Sequence, residues 1–195
     1  MRNRNIDIFI SGAGPAGLLT SLSFASLGYS VFCVDPKKPV TQSNDDGADL
    51  RTTAFLQPAK TFMASLGLWE KLEPFAEPME IMRIIDSAGD NWPPIETTAK
   101  DFLASEISDL PFGWNIPNWL LRRTLLENAM EYSNLELKFG LTTSSIIRRD
   151  DAAFVYLNDG SQIKSKLIIG QTEETLWFGT NHKLKFQKES FPKKP

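Results

Sequence analysis

Between an apolar run and a helical one this chain carries Gly12-Ala13-Gly14-Pro15-Ala16-Gly17, and that hexapeptide limits what its N-terminal part can become. Asn5 to Ile10 reads as a short apolar strand, Ser11 to Gly17 as a tight glycine turn, and Ala16 to Leu27 as a helix stopped by Gly28. Ser30 to Val34 reads as a second apolar strand ending at Asp35-Pro36. Strand, helix and strand in so short a span predict a right-handed parallel crossover. The Gly-x-Gly-x-x-Gly spacing alone is a weak signal. Here it follows a strand, opens a helix and has an acid at the end of the next strand. Gly12 permits the sharp turn, Gly14 lets backbone approach a pyrophosphate, and Gly17 lets the helix pack close to the strand. The helix start then offers unpaired N–H groups to the phosphates. Asp35 can accept hydrogen bonds from the ribose hydroxyls of an adenosine and would repel a 2′-phosphate, which disfavours NADP at this position.

Further along, Lys37 to Asp49 is polar and predicts a loop. Gln57 to Leu66 predicts a helix with Ala59, Phe62, Met63 and Leu66 on one face and Gly67 as its stop, and Leu68 to Leu72 a short continuation. Met79 to Asp86 reads as a strand, followed by a turn at Ala88-Gly89-Asp90. Asn91 to Pro111 reads as irregular, because Pro93-Pro94 disfavours regular structure at its start. Asn118 to Tyr132 is the clearest late helix. Leu135 to Phe139, Ser144 to Arg148, Ala153 to Leu157 and Gln162 to Ile169 are short strands, with Asn158-Asp159-Gly160 as a hairpin turn. After Gly170 no period is sustained, and the last 13 residues hold five lysines and one glutamate. The expected organisation is one domain over residues 1–170, with a partial insertion at about 79–112, and an anomalous, poorly ordered tail over 171–195.

A formal net charge of -3 and a pI near 5.3 give no global field for nucleic acid, so no nucleic-acid partner is expected. Cys33, the only cysteine, excludes an internal disulfide framework and reads as a small buried hydrophobe in a reducing compartment. The N-terminus lacks a signal h-region and no apolar run is long enough to span a bilayer. That predicts a cytoplasmic protein, and leaves open a peripheral contact with the inner membrane through the terminal lysines. His182 is the only histidine, so neither a His-based triad nor a metal site is expected.

Several stretches resemble the FAD-dependent aromatic-ring monooxygenases, and most closely their ubiquinone-biosynthesis hydroxylase branch. Gly12 to Leu18 looks like that family's first fingerprint, and Asp49-Leu50-Arg51-Thr52-Thr53-Ala54 like the segment whose arginine contacts the cofactor. Leu66-Gly67-Leu68-Trp69 and Gly113-Trp114-Asn115-Ile116-Pro117-Asn118, leading into Leu121-Arg122-Arg123-Thr124-Leu125, resemble further family segments, the latter packing near the flavin. The likeness runs from about Ile6 to Gly170 and implies an α/β, Rossmann-like FAD-binding domain with a central parallel sheet and a partial β-rich substrate lobe. It implies FAD as cofactor, NADPH as transient reductant, and a small aromatic or polyprenylphenol substrate that receives a hydroxyl group. Cofactor-binding candidates are Gly12, Ala13, Gly14, Pro15, Ala16, Gly17 and Asp35, with Arg51 and Asn118 added by resemblance. Asn118 also suits a helix N-cap. No catalytic residue is assigned.

Two departures shape the functional expectation. The family continues from the strand matching Lys166 to Ile169 into Gly-Ala-Asp-Gly, whereas Gly170 here precedes Gln171-Thr172-Glu173-Glu174. The family's later Gly-Asp-Ala-Ala-His segment has no counterpart in this sequence. The expectation is therefore a truncated monooxygenase, with a partner chain completing the site as one option. The alternatives are a non-catalytic FAD- or nucleotide-binding remnant, or another FAD-dependent oxidoreductase.

Overall fold

A computed structural model describes residues 3–88, 95–149 and 152–170. Strand β1 (Asn3–Ser11) leads through the glycine turn into helix α1 (Pro15–Ser26) and back into β2 (Val31–Asp35), which pairs parallel to β1 with Ile8 opposite Val31 and Ser11 opposite Val34. The predicted crossover is therefore present. Its stop is at Gly28, whose φ of 86° is a conformation that glycine adopts without a Cβ penalty.

Strands β8 (Leu135–Phe139), β9 (Thr143–Arg148), β10 (Ala153–Leu157) and β11 (Gln162–Gly170) lie where alternation predicts them. All join one six-stranded sheet, in the order β8-β2-β1-β11-β10-β9. The four strands β8, β2, β1 and β11 are parallel, while β10 and β9 extend the edge antiparallel. Gly160, at φ 81°, turns the chain between β10 and β11. The α/β class with a central parallel sheet is thus borne out.

Strands β1 and β2 bury side chains on both faces, so Ile8 to Ile10 and Val31 to Val34 read as continuous apolar runs. Ile8, Ile10, Val31 and Cys33 face α1 and helix α4 (Asn118–Ala129), packing with Leu18, Leu22, Leu121 and Leu125. Phe9, Phe32 and Val34 face the other way onto Val155, Leu157 and Ile163. Phe9 and Phe32 stack at 6.2 Å between ring centroids. Phe9 is fully buried, which contributes about 1.5–3 kcal/mol relative to an exposed ring.

The middle of the chain departs from expectation. Helix α2 (Gln57–Ser65) and the short α3 (Trp69–Leu72) are as predicted, but Phe62 is exposed and Met63 carries the buried face. Met79 to Asp86 is not one strand. It divides into β4 (Glu77–Met79) and β5 (Ile81–Ala88), which belong to different sheets. Asn91 to Pro111 is not irregular throughout, because β6 (Ile95–Leu103) pairs antiparallel with β5 as a two-stranded ribbon. Its side chains over 81–87 and 97–103 are exposed on both faces, so it carries no apolar alternation to be read. Strands β3 (Thr52–Leu56) and β7 (Gly113–Pro117) were not foreseen either, and pair with β4 in a three-stranded sheet. A Cβ on Gly113 would lie 2.3 Å from the Phe55 carbonyl oxygen, so only glycine allows this approach. Helix α4 ends at Ala129, three residues short of Tyr132. The predicted turn at Ala88 to Asp90, and the tail with His182, lie wholly or largely outside the described residues.

Candidate functional site

Strand order places the site. The chain moves from β1 outward to β2 and β8 on one side, and returns to β11 on the other, so order reverses between β1 and β11. Ligands of open α/β sheets bind beyond the carboxyl ends of strands at such a reversal. Here those ends are Ser11 and Gly170, register partners at the mouth of the glycine turn.

The turn divides its residues between core and solvent. Gly12, Ala13 and Gly17 are buried, Gly14 and Pro15 are half-buried, and Ala16 is exposed. Gly12 has φ 111°, which a side chain would strain, and its N–H donates to the Val34 carbonyl at 2.8 Å. Gly14 is the N-cap of α1 with φ -67° and ψ 177°, ordinary extended backbone, and its carbonyl accepts the Leu18 N–H at 2.9 Å. A Cβ on Gly14 would meet no atom within 4 Å. Pro15 takes the first helical position, where its missing N–H removes nothing. No side chain caps α1 and no acid sits in its first turn, so the helix start is left for an outside acceptor.

Asp35 ends β2 against this turn. Its Oδ2 accepts the Ala13 N–H at 2.7 Å and its Oδ1 accepts the Lys37 N–H at 2.8 Å. Each oxygen keeps a lone pair for a further donor, so the carboxylate is held in place without being saturated. Cys33, one strand position inward from Val34, has its thiol pushed up to about 12, first by burial and then by the nearby Asp35 charge, against a lowering contact from Ser21. It stays a protonated core residue.

Arg51 and Asn118 converge, although 67 positions separate them. The Asn118 N–H donates to the Arg51 carbonyl at 2.9 Å. The Asn118 side chain accepts from the Thr53 hydroxyl at 2.6 Å and donates to Asp49 Oδ2 at 3.0 Å. It is the first residue of α4 rather than its cap. Pro117 holds the cap position, and no side chain caps this helix. Asp49 also accepts Arg51 Nε at 2.8 Å, Arg51 Nη2 at 3.0 Å and Arg122 Nη2 at 3.3 Å. The Arg51 guanidinium, with Asn118 in support, holds the Asp49 carboxyl well below the usual range, so it is charged at neutral pH. Sequence reasoning singled out Arg51 and Asn118 but passed over Asp49 and Arg122, since nothing local marks a contact spanning so many positions.

Helix direction brings the two groups to one edge. Helix α4 leads into β8, which runs beside β2 in the same direction. In the turn between α4 and β8, Asn134 donates to the Ala25 carbonyl at 2.9 Å and the Tyr29 carbonyl at 2.8 Å, at the end of α1. The C-terminal ends of both helices therefore meet. Both have 12 residues, about 18 Å of helix, and they pack side by side. Their N-termini therefore share the edge where β1 and β2 end. Trp114 and Trp69 meet edge to face at 5.4 Å within the core, and Trp119 packs partly buried against it. Trp92 lies outside the described residues.

The donor set fits a dinucleotide. The turn leaves open space at Gly14, the start of α1 has no side-chain cap, and the Asp35 carboxylate is tied to the same turn through the Ala13 N–H. Among the described residues no group of three or more His, Cys, Asp and Glu could hold a metal ion, and no helix is long and apolar enough to cross a membrane.

Comparison with known proteins places the chain among similar sequences and folds. The chain is 24% identical over 171 residues to 3-demethoxyubiquinol 3-hydroxylase of Escherichia coli (strain K12), an alignment covering 87% of this chain and 42% of that protein. It is 26% identical over 166 residues to the ubiquinone hydroxylase UbiM of Neisseria meningitidis (serogroup C, strain FAM18), covering 84% of this chain and 35% of that protein. The chain thus spans less than half the length of the curated relatives it matches. Among solved structures, p-nitrophenol 4-monooxygenase PnpA from Pseudomonas putida DLL-E4 superposes with a TM-score of 0.64 at 18% identity, over 86% of this chain and 41% of that one. The flavin-dependent monooxygenase PieE, solved with FAD and substrate, gives 0.63 at 20% identity, over 84% of this chain and 29% of that one. The FAD binding domain family matches residues 5–171, and this chain belongs to it.

Proposed function

We propose that this chain holds the ADP half of FAD at Gly12, Ala13, Gly14, Pro15, Ala16, Gly17 and Asp35, with Arg51 and Asn118 contributing from the second group. The observation that carries the reading is the open backbone face of Gly14 at an uncapped helix start. In this reading the first-turn N–H groups of α1 bind phosphate, Asp35 accepts the ribose hydroxyls, and Gly17 keeps α1 against β1. FAD, when bound, supplies the redox chemistry, and the protein orients it and limits water. Titration of the purified protein with FAD tests this. Binding should bring flavin bands near roughly 370 and 450 nm into the protein fraction, the usual positions for this cofactor.

The proposed activity is hydroxylation of a small aromatic ring, with NADPH as transient reductant and a polyprenylphenol of the ubiquinone-biosynthesis type as substrate. The names of the curated relatives support that class. Residues 79–112, with the β5–β6 ribbon, form a partial substrate lobe on this reading, and residues 171–195 lie beyond the family-like part. Cytoplasmic placement with peripheral membrane contact belongs to the same proposal. A second reading, a nucleotide-binding unit that does not turn over unaided, is favoured by Gln171-Thr172-Glu173 standing where the resemblance implies Ala-Asp-Gly. On that reading a partner chain completes the site. Stoichiometry separates the two. With FAD, NADPH, oxygen and a polyprenylphenol supplied, hydroxylated product with little peroxide supports a complete enzyme. NADPH oxidation that ends in peroxide supports an open flavin site that fails to exclude water.

A further inference from the structure

We propose that Asp49 is a positioning residue for dinucleotide binding, holding Arg51 and Arg122 together at the N-terminal end of α4 so that both guanidiniums can meet the cofactor's phosphates. The proposal rests on the reading that the Gly12–Gly17 turn binds FAD, and adds to it the residue that orders the second half of the anion site.

Three observations carry it. The Asp49 side chain is only 11% exposed, yet Arg51, whose guanidinium it grips through two hydrogen bonds and whose backbone N–H it also accepts, is 83% exposed and Arg122 is 25% exposed. An ion pair with one arm so open to water adds little to folding. Immobilising a guanidinium instead acts on what the guanidinium later binds. Asp49 is itself fixed by Asn118, whose amide is locked in turn by the Thr53 hydroxyl, so the carboxylate is a rigid anchor. The anchor also lies on the sheet edge that carries the glycine turn, because α1 and α4 point their N-termini the same way. Asp49 thus gathers two guanidiniums beside the start of a helix. Arg51's planar fork suits phosphate oxygens, and its ordering is complete before ligand arrives.

The alternative role for Asp49 is to neutralise two arginines, and the two roles differ in sign. Removing its charge with Asp49→Asn makes the edge more positive, so a mere neutraliser would bind anions more tightly after substitution. A positioning residue would bind them more weakly, by about two- to tenfold, the cost of ordering a freed side chain on binding. Calorimetric titration of the full chain with ADP and with FAD, alongside thermal unfolding, reads this directly. The expected result is weaker binding by Asp49→Asn, and no further effect of that substitution in an Arg51→Ala/Arg122→Ala background. Unchanged or tighter binding by Asp49→Asn overturns the proposal. So does a weakening that persists in the arginine-free background, because that would mark a purely structural role. If Asp49→Asn does not fold, the arginine double variant decides alone, and unchanged ADP affinity there overturns the proposal. Wild-type protein that binds neither ADP nor FAD overturns both this and the reading beneath it. Binding that is lost in Gly14→Val keeps that reading intact whatever Asp49 does.

Discussion

Replacing Gly14 by valine separates the fold from the site. The backbone there has φ -67° and ψ 177°, which valine adopts without strain. The new side chain would begin in space where no atom lies within 4 Å. The free protein should therefore change in stability by no more than about 0.5 kcal/mol. That same space is where the pyrophosphate must come against the helix start. Losing two charge-assisted N–H contacts at about 1.5–3 kcal/mol each removes about 3–6 kcal/mol of binding, roughly 10²- to 10⁴-fold in Kd. Gly12→Ala is the internal control, because φ 111° penalises any side chain by about 1–3 kcal/mol and should lower Tm by about 2–12 °C at this chain length. Calorimetric titration with ADP and thermal unfolding of both variants complete the comparison. Gly14→Val protein that unfolds early, or that binds ADP with wild-type affinity, would refute the assignment of this turn as the phosphate cradle.

Gly113→Ala should destabilise by about 1–3 kcal/mol in chemical denaturation, since its Cβ would sit 2.3 Å from backbone and strands β3 and β7 must part to admit it. An unchanged midpoint would mean the three-stranded sheet does not hold this register. Asp7 accepts from the Ser30 N–H and hydroxyl and from Lys166, which hold it well below the usual carboxylate range, Lys166 first. Its contribution is present above the ordinary value of about 3.9 and fades as pH falls through and below it. Asp7→Ala should therefore cost about 1–3 kcal/mol at pH 7, and the gap between the two unfolding curves should begin to narrow below about pH 4 and close only as pH falls through the depressed native value. Cys33, raised to about 12, adds stability that is complete below the ordinary thiol value and lost as pH climbs above about 9, by at most about 1.4 kcal/mol per pH unit. A chromogenic disulfide reagent should leave it unmodified until denaturant is added, and rapid labelling of native protein would contradict its burial.

What could be read from the sequence was whatever leaves a local period. Ile8, Ile10, Val31 and Cys33 alternate with Phe9, Phe32 and Val34, and that alternation with the glycine turn defines the crossover and its site. Strands β8 to β11 were equally plain, because apolar runs bounded by Asn-Asp-Gly and Gly170 leave few alternatives. The ribbon of β5 and β6 left no such mark. Ile81, Met82, Ile84 and Ile85 are all exposed, and β6 mixes Thr, Lys and Asp with Phe and Leu. Strand β7 begins at a glycine and ends at a proline, which reads as a turn until the closeness of Phe55 gives the glycine its reason. At the site, Arg51 and Asn118 were reached by resemblance alone. Their meeting through Asp49 and Arg122 follows from the pairing of β3 with β7, which sets Thr52 opposite Pro117 and so Arg51 beside Asn118, and no local pattern encodes that pairing.

The shared direction of α1 and α4 has a thermodynamic consequence. Two side-by-side helices pointing the same way bring like partial charges together at each end, a repulsion that antiparallel neighbours avoid. Neither helix start has a side-chain cap or an acid in its first turn, and Asp49 is the one carboxylate described beside that of α4. A bound diphosphate would relieve that repulsion, so occupancy and folding would become one equilibrium. At a hundredfold excess over Kd, linkage alone raises stability by about 2.7 kcal/mol, about 5–11 °C in Tm at this length. Protein prepared without dinucleotide should then be the least stable form of the molecule, and its melting temperature would serve as a gauge of how full the site is.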